Sequence, residues 1–255
     1  MAGHSSGRPP RADYSLARRP AWGLAILFHV SLPEGWPGAE IVFFDCDSTL
    51  ASIEGIDELA ALRGVDVSAL TSAAMAGEIP LDAVFRKRLE AIAPTAEDLE
   101  QVVDLYWQNR LPDAAEVIAE LQNAGVICQV ISGGLMPAVS PFAQRLGFAK
   151  NAIHAVPFPR ASMPLEEAID VACAHPLARD GGKPEIIAQV CQELGVNPQR
   201  AMLLGDGASD LEASSNIGLF VGFGGFVRRD RIRQQAPLFL EQPSLAPLLP
   251  IALAR

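Results

Sequence analysis

The chain has 255 residues, of which 49% are hydrophobic and 20% are charged, and its formal net charge is −10. This composition is typical of a globular protein, and the length suits one large domain or a domain with an insertion. The acidic charge argues against nucleic acid or an anionic membrane as a partner. It does not exclude a phosphorylated small molecule, because a local cation can dominate a binding site.

The first 38 residues are predicted to form a poorly ordered extension. They begin with MAGHSSGRPPRADYSLARRP, which is rich in Arg, Pro and Ser, and such a composition favours disorder. The apolar stretch AWGLAILFHVSL that follows is far shorter than the ~20 residues that a membrane span needs. We therefore expect no membrane partner, although two arginines before an apolar run leave targeting to an organelle by residues 1–38 open.

The cysteines are scattered along the chain and form no CxxC pair. They are Cys46, Cys128, Cys173 and Cys191. A disulfide framework or a zinc site is therefore not expected, and a reducing compartment such as the cytoplasm fits best. The oligomeric state is left open between a monomer and a homodimer, because no pattern in the sequence indicates either.

Residues 41–50, IVFFDCDSTL, predict a buried strand that ends in two carboxylates. The side-chain period of a strand places Asp45 and Asp47 on one face, at the sheet edge where α/β proteins bind ligands. Two carboxylates this close favour a cation between them, and oxygen ligands suit Mg²⁺. Cys46 is expected to point to the opposite face as a buried spacer. Taken alone, the motif also fits a plain turn, or the DxD metal site of a sugar-nucleotide glycosyltransferase.

Four amphipathic helices are predicted next, with no strand between them. Their sequences are IEGIDELAALRGV, SALTSAAMAGEI, LDAVFRKRLEAI and AEDLEQVVDLYWQNR. Thr95 is expected to cap the last of them, with Asp98 as a short form of the capping box. Because consecutive helices do not continue a βαβ sheet, we predict a small helical insertion over residues 53–110. Four peripheral helices of a single mixed domain are the alternative.

The sheet is predicted to resume after a helix from Ala114 to Asn123. A strand rich in β-branched residues then runs from Val126 to Ile131 and ends in SGG, residues 132–134. A hydroxyl followed by two glycines lets backbone N–H groups approach an anion closely, although a plain glycine-rich turn has the same sequence.

Two further segments carry candidate site residues. Lys183 opens a helix that is predicted to run to Leu194, although the helix dipole disfavours a cation at that end. A strand over residues 201–204, AMLL, is followed by GDGASDLEA, which contains Asp206 and Asp210.

Together, F-D-x-D-S-T-L, S-G-G, the lysine and G-D-G-x-x-D resemble motifs I to IV of the haloacid dehalogenase superfamily, in its phosphoserine phosphatase branch. The resemblance covers roughly residues 40–245. It implies an α/β fold with an open, mainly parallel, Rossmann-like sheet and an inserted helical-bundle cap. The implied division is an extension over 1–38, a core over 39–52 and 111–255, and a cap over 53–110.

The resemblance has one gap. Residues 151–180 lack the short hairpin and the Asn-containing strand that are expected of the phosphoserine phosphatase branch. We make no prediction of their secondary structure. His154 and His175, which lie in this segment, have no evident partners and are not expected to be metal ligands.

The resemblance implies Mg²⁺-dependent hydrolysis of a phosphate monoester through an aspartyl-phosphate. Asp45 would be the nucleophile, and Asp47 the general acid and then the general base. Mg²⁺ would be held by Asp45, Asp206 and the carbonyl of Asp47, while Asp210 would hold Lys183 or a metal-bound water. The phosphate-binding residues would be Ser132, Gly133, Gly134, Lys183 and Ser209.

The implied substrate is O-phospho-L-serine, whose hydrolysis is the last step of serine biosynthesis. Its amino-acid end would be bound by Glu54 and Arg88, with Met75 against it and Arg229 as a second carboxylate ligand. An Arg suits a carboxylate because its planar fork can contact both oxygens. The alternative is that Glu54 only favours a helix start and Arg88 belongs to a solvated basic face.

Other protein classes share part of this pattern. A signalling receiver domain also phosphorylates an Asp beside Mg²⁺ and a Lys, but it lacks the second Asp and the helical cap. A glycosyltransferase has no need of G-D-G-x-x-D. A dehalogenase needs neither Mg²⁺ nor Asp47, so the second Asp favours a phosphatase. Within that class, a phosphatase for another small phosphorylated metabolite is the alternative to one for phosphoserine.

Overall fold

The computed structural model describes residues 32–67, 69–70 and 81–254, and these residues contain a six-stranded sheet. The strands are β1 (Ile41–Phe44), β2 (Ile127–Leu135), β3 (Ile153–Val156), β4 (Ala201–Gly205), β5 (Leu219–Phe223) and β6 (Leu238–Leu240). Their order is β3-β2-β1-β4-β5-β6, and each neighbouring pair is parallel. The predicted open α/β sheet is confirmed.

Strand β1 lies in the middle of the sheet, between β2 and β4. Its residue Ile41 is in register with Ile127 on one side and with Ala201 on the other. All four residues of β1 are fully buried, which explains why IVFF is uninterruptedly apolar. The chain moves outward from β1 to β3 and then returns to β4, so a crevice opens at the carboxyl ends of β1 and β4.

Helices form most of the connections between the strands, including the long connection from β1 to β2, and one helix follows β6. They are α1 (Gly55–Leu62), α2 (Leu81–Ile92), α3 (Ala96–Gln108), α4 (Ala114–Asn123), α5 (Met136–Arg145), α6 (Leu165–Cys173), α7 (Gly182–Leu194), α8 (Ala208–Glu212), α9 (Asp230–Gln235) and α10 (Leu248–Ala252). Short 3₁₀ turns occupy 150–152, 176–178, 198–200 and 213–216. None of the described helices is long and apolar enough to cross a membrane.

Helices α1, α2 and α3 agree with three of the four helices predicted over residues 53–110, and the helix predicted over SALTSAAMAGEI lies almost wholly outside the described residues. The cap of α3 is confirmed: the backbone N–H of Asp98 donates to Thr95 Oγ1 over 3.2 Å, and the Thr95 N–H donates to an Asp98 carboxylate oxygen over 2.8 Å. Helix α3 packs against α5, where Tyr106 stacks on Phe142 with ring centroids 5.1 Å apart. The boundaries of the cap at residues 53–110 stay a prediction.

Residues 151–180 form strand β3, helix α6 and the 3₁₀ turn at 176–178. Helix α6 packs against α2, and Arg86 of α2 donates to Asp170 of α6 over 2.7 Å. Of the predicted extension, residues 1–31 lie outside the described part of the chain. Trp36 contacts the C-terminal helix α10, since its ring N–H donates to the carbonyl of Ile251 over 2.8 Å.

Candidate active site

A cavity of about 240 Å³ opens at the carboxyl ends of the central strands, where the sequence predicted the site. Most of the predicted site residues line it. They are Asp45, Asp47, Glu54, Arg88, Gly133, Gly134, Lys183, Asp206, Ser209 and Arg229. Ser132 and Asp210 are fully buried directly behind this lining. Met75 lies outside the described residues.

Asp45 follows directly on β1, and its backbone N–H continues the ladder by donating to Leu204 over 2.9 Å. The ammonium of Lys183 lies 2.7 Å from Asp45 Oδ1 and 2.6 Å from Asp210 Oδ1. Burial disfavours the charge of this lysine, but the two carboxylates outweigh burial and raise the pKa of Lys183. The predicted contact of Asp210 with Lys183 is therefore present, and it leaves Asp45 beside a fixed positive charge.

Asp206 and Asp210 follow β4, and the glycines of this motif make room for the carboxylate of Asp210 and donate to it. A side chain at Gly205 would place its Cβ 2.2 Å from the carboxyl carbon of Asp210. Asp210 Oδ2 accepts the backbone N–H of Gly207 over 3.0 Å. Burial and the negative charge of Asp45 raise the pKa of Asp210 to about 7.

Asp206 is also buried, and both of its oxygens have partners. Thr49 Oγ1 donates to Oδ1 over 3.3 Å, and Arg229 Nε donates to Oδ2 over 2.9 Å. Burial and the charge of Asp45 raise the pKa of Asp206 to about 6, although Arg229 opposes that shift. Neither the contact of Thr49 with Asp206 nor that of Arg229 with Asp206 was foreseen from the sequence.

Three carboxylates in this region are close enough to share a cation. Asp45, Asp206 and Asp210 each have one oxygen within 4.8 Å of the others. A donor set made only of carboxylate oxygens fits Mg²⁺ better than a softer metal. Burial and the negative charge of Asp45 raise the pKa values of Asp206 and Asp210, and a cation bound among these carboxylates would offset that repulsion. The side chain of Asp47 is not part of this group.

Asp47 is held by neutral donors. Its Oδ1 accepts the backbone N–H of Gly55 over 2.7 Å and the hydroxyl of Tyr106 over 2.6 Å. Its Oδ2 accepts the hydroxyl of Ser132 over 3.3 Å, and Ser132 in turn accepts the N–H of Gly134 over 2.9 Å. Burial, followed by the charge of Asp45, raises the pKa of Asp47, while Tyr106 and Gly55 oppose the shift.

Tyr106 is another residue of this site that the sequence analysis did not select. It lies on α3 among residues that read as an ordinary apolar helix face, such as Val102 and Val103. The available signal was its hydroxyl, because a tyrosine on a buried helix face needs a hydrogen-bond partner. Its partner, Asp47, is 59 residues away in the chain.

The side of the cavity near α1 and α2 holds residues predicted to bind an amino acid. Glu54 Oε1 accepts the hydroxyl of Ser48 over 2.7 Å and lies 3.6 Å from a terminal nitrogen of Arg229. Ser48 has a positive φ of 51°, which turns the chain back so that its side chain reaches Glu54. Burial and the charge of Asp47 raise the pKa of Glu54.

Arg88 faces the cavity and forms an ion pair with Asp57. Its Nε atom is buried and has no hydrogen-bond partner among the residues that the structure describes. Arg179, which the sequence analysis did not select, also lines the cavity. The site thus offers several guanidinium groups to an anionic ligand.

Cys46, between the two aspartates, is fully buried, as predicted. Burial and the neighbouring carboxylate of Asp47 raise the pKa of its thiol well above the ordinary value, so the thiolate that a nucleophile needs is disfavoured. The four cysteines are all within the described residues, and none of them forms a disulfide there. His154 contacts Gln129 over 3.0 Å, away from the cavity lining.

Comparison with known proteins gives concordant matches. A family model described as haloacid dehalogenase-like hydrolase matches residues 39–218. The chain is 31% identical to the phosphoserine phosphatase of Homo sapiens over 226 residues, which cover 83% of this chain and 93% of that protein. It is 32% identical to the phosphoserine phosphatase of Halobacterium salinarum over 185 residues, covering 71% and 84%.

Solved structures of phosphoserine phosphatase also resemble the chain. One is described as a substrate-bound complex, with a TM-score of 0.69 and 26% identity, covering 83% of this chain and 97% of that one. Another is described as a phospho-aspartyl intermediate analogue, with a TM-score of 0.68 and 26% identity, covering 83% and 98%.

Proposed function

The chain belongs to the haloacid dehalogenase-like hydrolase family and is a phosphoric monoester hydrolase, and from this premise we propose that it hydrolyses O-phospho-L-serine to L-serine and phosphate. One observation carries the proposal. One cavity is lined by the paired carboxylates Asp45 and Asp47 and also by a further carboxylate, Glu54, and a guanidinium group, Arg88. Phosphoserine has the matching groups: a phosphate, an ammonium and a carboxylate.

In the proposed reaction, the carboxylate of Asp45 attacks phosphorus and the bond from phosphorus to the serine oxygen breaks. Asp47 donates its proton to that oxygen, so serine leaves as a neutral alcohol. Water then attacks the aspartyl-phosphate, and Asp47 takes a proton from it. The bond from phosphorus to the Asp45 oxygen breaks, phosphate is released, Asp45 is again a carboxylate and Asp47 is again protonated.

The residues around Asp45 suit this chemistry, because phosphate monoesters react slowly unless their charge is neutralised. Lys183 supplies a buried positive charge 2.7 Å from the nucleophile. Ser132 and the amide of Gly133 lie in the second half of β2, where they would contact the phosphoryl oxygens. Mg²⁺, when bound, would offset negative charge on the nucleophile and the phosphoryl group. Asp45, Asp206 and the Asp47 carbonyl would hold it, with Asp210 fixing Lys183 behind them.

Specificity is proposed to come from Glu54 for the ammonium and from Arg88 for the carboxylate. Arg88 lines the same cavity, and its buried Nε is a donor without a hydrogen-bond partner among the described residues. Arg229 would be the second carboxylate ligand, and it would then exchange its contacts with Asp206 and Glu54 for contacts with the substrate. The names of the relatives support phosphoserine as the substrate.

A panel of phosphate monoesters with Mg²⁺ tests this proposal. Phosphoethanolamine keeps the ammonium but lacks the carboxylate, and 3-phosphoglycerate keeps a carboxylate but lacks the ammonium. We expect kcat/KM for phosphoserine to exceed each by roughly tenfold or more, the usual result of leaving a charged donor or acceptor unpaired. A higher kcat/KM for a phosphate without the amino-acid group would instead identify a phosphatase for another small metabolite.

A further inference from the structure

We propose that Tyr106 is a positioning residue that fixes which oxygen of Asp47 carries the transferred proton. The inference rests on the proposed role of Asp47 as general acid and base. Tyr106 does not line the cavity, so it would act through Asp47 and not on the substrate.

The two oxygens of Asp47 have different surroundings. Oδ1 accepts two strong hydrogen bonds, from the Tyr106 hydroxyl over 2.6 Å and from the Gly55 N–H over 2.7 Å. Oδ2 has the longer contact of 3.3 Å with Ser132 and lies on the side of Gly134, which lines the cavity. With Oδ1 occupied by two donors, a proton on Asp47 belongs on Oδ2.

This arrangement works in both protonation states. An ionised carboxylate only accepts hydrogen bonds, so the Tyr106 hydroxyl must donate to it. Once Asp47 is protonated on Oδ2, Oδ1 is a carbonyl oxygen that still accepts from Tyr106 and Gly55. The carboxyl group therefore does not have to rotate between protonating the serine oxygen and accepting a proton from water.

The hydroxyl of Tyr106 has little freedom to move. The residue is fully buried, and its ring is stacked on Phe142 with an interplanar angle of 17°. A Cβ at Gly55 would lie 2.2 Å from the hydroxyl oxygen, so the glycine backbone packs directly on it. Three helices therefore meet at Asp47. Helices α3 and α1 contact it through Tyr106 and Gly55, and α5 supports the tyrosine ring through Phe142.

Tyr106→Phe is the direct test, because it removes only the hydroxyl. We expect kcat/KM for phosphoserine to fall by about tenfold, less than the roughly 10²–10⁴-fold of complete general acid–base catalysis. For 4-nitrophenyl phosphate, whose leaving group needs no acid, kcat/KM should change less than about twofold. Equal losses on both substrates, or no loss on either, would overturn the proposal. Trp107→Phe, the next residue of α3, is the control for helix packing and should leave the ratio of the two substrates unchanged.

A double-mutant cycle separates positioning from general structural damage. If Tyr106 acts through Asp47, then Tyr106→Phe should cause no further loss of kcat/KM in an Asp47→Asn background, whereas independent effects would multiply. Multiplying losses would overturn the positioning role. Full activity of Asp47→Asn itself would overturn the proposed mechanism instead, so the two failures can be told apart.

Gly55→Ala provides a second variant in case Tyr106→Phe does not fold. The added methyl group would displace the Tyr106 hydroxyl from Asp47 while keeping every polar group in the chain. It should reproduce the selective loss on phosphoserine. A folded Gly55→Ala protein with the wild-type ratio of the two substrates would overturn the proposal.

Discussion

The floor and the rim of the cavity hold their charges differently. The floor consists of Asp45, Lys183, Asp206 and Asp210; the rim consists of Glu54, Arg88 and Arg229. Floor side chains are at most 9% exposed, and the ion pairs of Lys183 with Asp45 and Asp210 extend over 2.7 and 2.6 Å. Rim side chains are between 17% and 44% exposed, and the pair between Arg229 and Glu54 spans 3.6 Å.

The difference suits two different tasks. Buried, closely paired charges are fixed before a substrate arrives, and removal of one leaves its partner unpaired at a large energetic cost. Half-exposed ion pairs contribute little and can be exchanged for contacts with a ligand. Asp57, the partner of Arg88, is itself half exposed, so water can solvate it when Arg88 turns to a substrate carboxylate. We infer that the floor determines the chemistry and the rim determines which phosphate monoester is accepted.

The largest effect is expected at the centre of the floor. Asp45→Asn should abolish turnover on every substrate, because an amide is not a competent nucleophile and one anionic oxygen is lost. Phosphate release measures the activity, and circular dichroism with the melting temperature verifies the fold. A folded Asp45→Asn protein with near-wild-type turnover would contradict the aspartyl-phosphate mechanism.

Asp47→Asn should have the next largest effect, and it should depend on the leaving group. We expect a loss of roughly 10²–10⁴-fold in kcat/KM for phosphoserine and a much smaller loss for 4-nitrophenyl phosphate. The KM for phosphoserine should change little, because Asp47 acts on the proton and not on binding. The same loss on both substrates would assign Asp47 a different role.

Rim variants should discriminate between substrates instead of removing activity. Arg88→Ala and Glu54→Gln should each reduce kcat/KM for phosphoserine by roughly 10- to 100-fold, the usual range for a lost charged hydrogen bond, and affect 4-nitrophenyl phosphate much less. Arg86→Ala is a matched control, since Arg86 is on the same helix, is also paired with an acid, and does not line this cavity. Uniform losses on both substrates would remove the distinction between floor and rim.

The floor could be predicted from sequence because its residues follow local patterns. Asp45, Lys183 and Asp206 come directly after strands or open a helix, and parallel strands bring such positions together at one edge. Tyr106 could not be found in this way, because its contact with Asp47 depends on how α3 packs against α5. No local pattern encodes that packing.

One strand differed from the expectation, and one helix lies in the segment for which no prediction was made. Strand β2 was expected to end at Ile131, because glycine has a low strand propensity, but it continues to Leu135, which pairs with Val156 of β3 after a bulge. Helix α6 was not predicted, because prolines surround it and hide its short apolar face of Ala168, Ile169 and Ala172. Tertiary pairing and packing determine both elements.

The smallest expected effect concerns Mg²⁺, and it tests whether the floor behaves as one acidic unit. The pKa of Asp206 is raised from 3.8 to about 6. Between these values the folded, metal-free protein holds more protons than the unfolded chain, so its stability falls as the pH rises through this window. Because Mg²⁺ needs the ionised carboxylate, its binding should compensate for this loss, and more strongly at higher pH.

A proton and Mg²⁺ should therefore compete for Asp206. With a pKa of about 6, the apparent Mg²⁺ affinity should be roughly tenfold weaker at pH 5 than at pH 7. Calorimetric titration measures the affinity, and the rise in melting temperature on adding Mg²⁺ should grow over the same range. Asp206→Asn should abolish most of this pH dependence, while Asp170→Asn, an exposed acid of α6, should retain it. Equal Mg²⁺ affinity at pH 5 and pH 7 in the wild-type protein would contradict the role of Asp206 as a ligand. It would mean that protonation of the floor carboxylates and binding of Mg²⁺ do not compete.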